Sequence, residues 1–124
     1  MSELSKSEYQ VLYCFYDINQ PVTKQELLEK VLSLNKNTTA AVIRSLLDKG
    51  YLEVGEIRYS RTVLARAYRT CVPLVDFLKD EYGADVVEKI VKHAISSLDD
   101  VQQINYLSDL VTDRKIAIYG GFGT

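Results

Sequence analysis

The sequence predicts a mainly α-helical chain carrying one small β-hairpin, and three observations predict it. Apolar residues recur at helical spacing in three short segments between Leu4 and Leu47, each with its own start signal. From Tyr51 to Val72 the period changes to two, over residues rich in Tyr, Val, Ile, Thr and Arg. Beyond Pro73 the helical period returns.

In the first segment, LSKSEYQVLYCFYDI, Ser5 stands three residues before Glu8, the spacing of a capping box. Leu4, Val11, Leu12 and Phe15 then lie along one stripe. Pro21 ends any helix before it, and Thr23 with Glu26 makes a second capping box. Leu27, Leu28, Val31 and Leu32 are the expected buried face of that second helix. Asn35 or Asn37 caps the third helix, and Gly50 stops it. Val42, Ile43, Leu46 and Leu47 are its apolar face. The opposite face collects Asn37, Thr38, Ala41, Arg44, Ser45 and Asp48, most of them short side chains. Two antiparallel strands follow, Tyr51 to Ile57 and Val63 to Val72, with a turn near Tyr59–Thr62 and Pro73 as the stop.

After Pro73 a short helix is expected to end at Gly83. Val86, Val87, Ile90, Val91, Ala94, Ile95 and Leu98 form a broad stripe on the next helix. Asp99 or Asp100 caps another, with Val101, Ile104, Leu107, Leu110 and Val111 along one side. These helices carry more apolar surface than each can bury alone. Burial is worth about 25 cal/mol per Å², which makes a second subunit the natural recipient. Val87, Ile90, Val91, Ala94, Ile95, Leu98, Ile104, Leu107 and Leu110 are therefore the expected dimerisation residues. The expected division is a domain over 1–72, a helical dimerisation region over 73–115 and a tail over 116–124, docked or disordered.

A chain of 124 residues, 47% hydrophobic and 26% charged, has the composition of one globular domain or a small domain with an oligomerisation element. No apolar run is long enough to span a membrane, and MSELSKSEYQ lacks the basic and apolar regions of a signal peptide. A cytoplasmic protein without a membrane partner is expected. Cys14 and Cys71 form no C-x-x-C pair and only one histidine exists, so no metal and no cofactor is expected; the cysteines should be reduced and half-buried. No glycine-rich phosphate loop follows a strand, and no other catalytic constellation stands out; an enzyme is not expected. His93 reads as a surface or interface residue. Tyr9, Tyr13 and Tyr16 read as amphipathic residues at the edge of a core.

The net charge of −2 hides an asymmetry. Residues 1–72 hold ten basic side chains against eight acids, whereas residues 73–124 hold five against nine. From Arg58 to Arg69 there are four arginines and no acid. Three helices followed by an arginine-bearing hairpin make a winged helix-turn-helix, in which the third helix enters the DNA major groove and the wing lies beside the backbone. Its bare outer face then has a reason: a helix that approaches base edges offers short donors and acceptors. The expected DNA-binding residues are Lys36, Asn37, Thr38, Ala41, Arg44 and Ser45 on that helix, with Arg58, Arg61 and Arg66 on the wing supplying phosphate charge. Arg69 is expected to pair with Glu53 or Glu56 across the hairpin. The alternative is a winged-helix protein–protein module without DNA specificity, since ten bases against eight acids is a small electrostatic footprint.

LSKSEYQVLYCFYDINQPVTKQELLEKV resembles the N-terminus of the penicillinase-repressor family (BlaI/MecI type). The matching residues are Glu8, Tyr9, Val11 and Leu12, then Tyr16, then Gln20, Pro21, Val22 and Thr23, then Glu26 and Leu27. LLDKGYLE matches the family's Lys-Gly-Tyr/Phe-Leu turn, and AYRTCVP stands where the family closes its wing. The resemblance covers about residues 4–75. It implies a homodimeric transcriptional repressor that binds a palindromic operator and dimerises through C-terminal helices; some members are inactivated by proteolysis, which leaves an unknown signalling protein or protease as a further candidate partner, although no cleavage site is established in this sequence. Of the family's recognition-helix pattern Ser-Pro-Lys-Thr-x-x-Thr only Thr38 is retained, so the operator sequence does not carry over. The clustered C-terminal cysteines of copper-sensing members are absent.

Overall fold

A computed structural model of the chain describes residues 4–60 and 63–123. The described elements are α1 (Lys6–Ile18), β1 (Val22–Thr23), α2 (Lys24–Lys30), α3 (Lys36–Asp48), β2 (Leu52–Ser60), β3 (Val63–Thr70), α4 (Leu74–Tyr82), α5 (Ala84–Ser96) and α6 (Val101–Gly123). They fall into two compact units, residues 1–82 and 83–124.

The first unit holds a winged helix, formed by α1, α2, α3 and a three-stranded antiparallel sheet of order β1-β3-β2 whose β2–β3 ribbon is the wing, and α4 follows it. Each helix starts where its cap places it. Ser5 and Glu8 form a complete capping box on α1, and Thr23 and Glu26 form one on α2. Asn35, rather than Asn37, caps α3: its side chain accepts from the amides of Asn37 at 2.9 Å and Thr38 at 3.1 Å. α1 ends before Pro21 because Asn19 turns left-handed at φ 56°, and α3 ends at Gly50, φ 84°. The core joins Val11, Leu12 and Phe15 of α1, Leu27 of α2, Val42, Ile43 and Leu46 of α3, Val22, Leu52 and Ala67 of the sheet, and Phe77 of α4.

Two sequence expectations are corrected. Leu32 is not on a buried helix face; α2 ends at Lys30 with Val31 as its cap, which leaves Leu32 87% exposed. The period-two reading also misses β1, a two-residue strand pairing Val22 with Tyr68 and Thr23 with Ala67, too short to show a period. β2 runs to Ser60, three residues past the expected end, and the tip at Arg61 and Thr62 lies outside the described residues. A register shift between Val54 and Glu56 places Gly55 at a bulge. A Cβ there would meet the Arg69 side chain at 3.0 Å, so the glycine makes room for Arg69. Arg69 pairs with Glu53, its cross-strand neighbour, at 3.2 Å as expected.

α4 follows the expected boundary at residue 72 and contributes Phe77 to the core of the first unit, where the ring is 2% exposed. Tyr9, Tyr13, Tyr16 and Tyr51 surround it with centroids 5.8–6.3 Å away. Two of their hydroxyls meet polar partners: Tyr16 donates to the Val72 carbonyl at 2.6 Å and Tyr9 to the Glu81 carboxylate. Burial pushes the Tyr16 phenol up to about 12. Cys14 is half-buried but Cys71 is exposed, because β3 ends one residue before it; both are free thiols.

In the second unit Asp100 caps α6 by accepting from the Gln102 amide at 2.9 Å, and Lys92 pairs with Glu88 one turn away at 3.2 Å. α6 continues through Gly123, so the expected tail is helical as far as it is described. No residue of α5 is buried. Ile90, Val91 and Ile95 of α5 and Ile104 and Leu110 of α6 are 43–57% exposed, and His93 is exposed. Among the described residues, no helix is long and apolar enough to cross a membrane.

Candidate nucleic-acid interface

The outer face of α3 exposes the short side chains its composition placed there, with Ser45 as the exception. Lys36, Asn37, Thr38, Ala41 and Arg44 are exposed, while Thr39, Val42, Ile43 and Leu46 fasten the helix to the core. Between α3, the start of α2 and β3 lies an open groove of about 630 Å³. Ala40, Arg44, Leu47 and Asp48 line it from α3, Lys24 and Gln25 from α2, and Ala65 and Arg66 from the wing. Thr38 lies on the other flank of α3, in a smaller cleft shared with Ser7 and Gln10 of α1. Of the groove residues, sequence reasoning selected only Arg44 and Arg66 for DNA; it passed over Lys24 and Gln25, and it placed Asp48 on the outer face of α3 without assigning it a contact. The signal for Lys24 and Gln25 was available, because the Thr23 cap fixes them as the opening residues of α2.

Ion pairing divides the wing arginines into two kinds. Arg58 is turned inwards: its guanidinium donates to both carboxylate oxygens of Glu26, at 2.6 and 2.8 Å, to the Pro21 carbonyl at 2.9 Å and to Glu56 at 2.7 Å. Glu26 thus closes the α2 capping box and anchors the wing. The Thr23 amide first, and then Arg58, hold its carboxyl below the usual carboxylate range in spite of burial. Arg69 is paired with Glu53. Among the described residues Arg66 has no ion-pair partner, and neither have Arg44 and Lys24 across the groove. Arg61 lies outside the described residues.

The same device recurs on α3. Glu8 closes the α1 capping box, accepting from the Ser5 amide at 2.8 Å, and is 6% exposed. It also accepts from Ser45 Oγ at 2.7 Å and from Lys49 Nζ at 3.0 Å. Ser45, expected to face DNA, is half-buried and faces α1 instead of the groove. Burial pushes the Glu8 carboxyl up, but the Ser45 hydroxyl, the Ser5 amide and Lys49 together outweigh it and lower it from 4.5 to about 2. Each capping-box glutamate therefore has a second role. One fixes α3 to α1, and the other fixes the wing to α2.

The two kinds of arginine predict different salt behaviour. If DNA lies in the groove, Arg66→Ala should flatten the slope of log K against log salt by about 0.9, one phosphate contact. Arg58→Ala should leave that slope unchanged, since its charge is already neutralised within the fold, and should lower thermal stability. Titrating both variants with DNA across a salt series checks this; equal slope changes would mean that Arg58 leaves Glu26 to meet phosphate.

Among the described residues no group of three or more His, Cys, Asp or Glu side chains is placed to hold a metal ion. No known family profile matches the chain, and no curated protein matches it. Among solved structures, the chain is similar to a crystal structure from Thermoplasma acidophilum described as a "putative transcriptional regulator", at 15% identity and a TM-score of 0.46 over 79% of this chain and all of that one. That likeness is too distant to carry a functional argument.

Proposed function

We propose that this chain is a DNA-binding transcriptional regulator of winged-helix type, with α3 in the major groove and the wing beside it. One observation carries the reading. Arg44 on α3 and Arg66 on β3, both without an ion-pair partner among the described residues, flank one open groove together with Lys24, whereas the other described wing arginines are paired within the fold. Unpaired cations converging on a groove beside a short-chained helix face suit a phosphate backbone passing next to base edges. In this reading Lys36, Asn37, Thr38 and Ala41 meet the bases or the adjacent backbone, Arg44 reaches a guanine edge or a phosphate, and Arg61 and Arg66 contact phosphates. Arg58 and Ser45 position the wing and α3.

The protein acts as a homodimer on a palindromic site, as a repressor of the kind the family resemblance implies. The apolar faces of α5 and α6 support this, because Ile90, Val91, Ile95, Ile104 and Leu110 are each more than 40% exposed, with Val87, Leu98 and Leu107 half-buried beside them, and such a stripe is the surface a second copy would cover. Val87, Ile90, Val91, Ala94, Ile95 and Leu98 would meet the partner from α5, and Ile104, Leu107 and Leu110 from α6.

Selection of bound DNA from a random pool tests the reading. Symmetric half-sites about 34–36 Å apart, or a multiple of that, are expected. Ile90→Asp should give a monomer by sedimentation and lose most of the affinity for the full site, retaining the half-site preference. A pool with no enriched sequence would remove the specific regulator in favour of a protein–protein module. A fully dimeric Ile90→Asp variant would remove the assigned interface.

A further inference from the structure

Between the end of α1 and the start of α4 lies an open cleft of about 760 Å³. Tyr13, Tyr16, Asp17 and Asn19 line it from α1 and its cap, and Pro73 and Leu74 from the other side. All of them belong to the first unit. Its charge is the reverse of the groove beside α3: no Lys or Arg lines the cleft, whereas Lys24, Arg44 and Arg66 line the groove. Small-molecule sites occupy roughly 300–1,000 Å³ and are walled mainly by apolar and aromatic side chains with a few polar groups. The cleft has that size and that lining.

Two observations say what it takes. The first is the pair of rings. Tyr13 and Tyr16 stand three residues apart on α1, which puts both on one face of the helix. Each ring is fixed before any ligand arrives: the Tyr16 hydroxyl donates to the Val72 carbonyl at 2.6 Å, and Tyr13 packs edge-on against Phe77 at 6.1 Å. Both side chains are half-buried, so part of each is left to the cleft. The face of an aromatic ring is the negative end of its quadrupole and attracts a cation.

The second is charge. Asp17, one turn beyond Tyr13, is exposed and has no ion-pair partner among the described residues. Arg69, the base beside the cleft residue Thr70, is already paired with Glu53. Burial first, and then neighbours that include Cys71 and Asp76, push the Tyr16 phenol up, so the ring stays neutral. Fixed aromatic walls, one unpaired acid and no base suit a cation whose charge sits on an apolar body.

We propose that this cleft binds a lipophilic organic cation, its charge held between Asp17 and the rings of Tyr13 and Tyr16 and its body against Pro73 and Leu74. The site is separate from the surface assigned to DNA, so it stands whether or not the chain binds a duplex.

Tetraphenylphosphonium and tetraphenylborate have nearly the same size and shape and opposite charge, and titrating each into the full chain separates charge from apolar contact. The phosphonium should bind at least about tenfold more tightly than the borate. Asp17→Asn should weaken the phosphonium about fivefold. Tyr13→Leu, which keeps apolar bulk but removes the ring, should weaken it about tenfold, and Tyr13→Phe should retain most of the affinity. Chemical-shift changes should centre on Tyr13, Tyr16 and Leu74. The comparison of the two ions needs no substitution, so the proposal stays testable even if a variant folds poorly. Equal affinity for both ions, or no binding of the phosphonium, would overturn the site. So would wild-type affinity in both Asp17→Asn and Tyr13→Leu. Shift changes centred on the exposed apolar faces of α5 and α6 would mean adsorption there, and would overturn it as well.

Discussion

Phe77→Ala is expected to cost the first unit about 3–4 kcal/mol, the range for emptying a well-packed aromatic site. The ring is 2% exposed and touches four tyrosines whose centroids lie within 6.3 Å, so few neighbours can collapse into the space. Two of them are held at their outer ends, Tyr16 by the Val72 carbonyl and Tyr9 by Glu81, which hinders them further from filling it. For a unit of this size about 4 °C or more of Tm is lost per kcal/mol, and calorimetry should show a fall of at least about 12 °C. The result also bears on organisation. If α4 served only the second unit, Phe77→Ala would leave the melting of a fragment ending at residue 82 unchanged.

The second large effect is expected at Glu8. Glu8→Ala removes the α1 capping box and leaves Ser45 and Lys49 without their shared acceptor. Because the Lys49 side chain is 34% exposed and partly solvated, a cost of about 2 kcal/mol is expected, less than for a fully buried pair. Glu8→Gln separates charge from shape. Folding lowers the Glu8 pKa from 4.5 to about 2, so the carboxylate contributes its full stabilisation above pH 4.5 and loses it as the pH falls towards 2. The stability gap between wild type and Glu8→Gln should be constant from pH 6 to 8, narrow below about 4.5 and be smallest near 2. Urea titrations at pH 7 and pH 3 measure it; equal gaps would mean that Glu8 is not the charged hub between α1 and α3. Loosening that hub should also weaken DNA binding without altering the preferred site, since it displaces α3 without changing its outer face.

Those two glutamates show where sequence reading stops. The spacing of Ser5 with Glu8 and of Thr23 with Glu26 was enough to place two helix starts, because a capping box is a local bond pattern within four residues. Their second partners, Lys49 and Arg58, stand 41 and 32 residues away and leave no periodic trace. For the same reason Arg58 and Arg66 are indistinguishable as letters on a basic strand. Only the packing of the wing root against Glu26 pairs one and leaves the other open. Arg69 was the exception, since cross-strand register puts it opposite Glu53 and register is a local property of a hairpin.

The sequence by itself determined the order of the helices and of the two long strands, the helix starts set by caps, and the apolar face of α3, since each follows from short-range bonding and a fixed period. The tertiary structure alone decided that β1 joins the sheet, that Phe77 lies within the tyrosine cluster, and that Arg44 and Arg66 line one groove while Ser45 and Arg58 are held within the fold. Long-range contacts settle which polar groups find partners. The groups left without ion pairs around the groove are the ones that can meet a ligand.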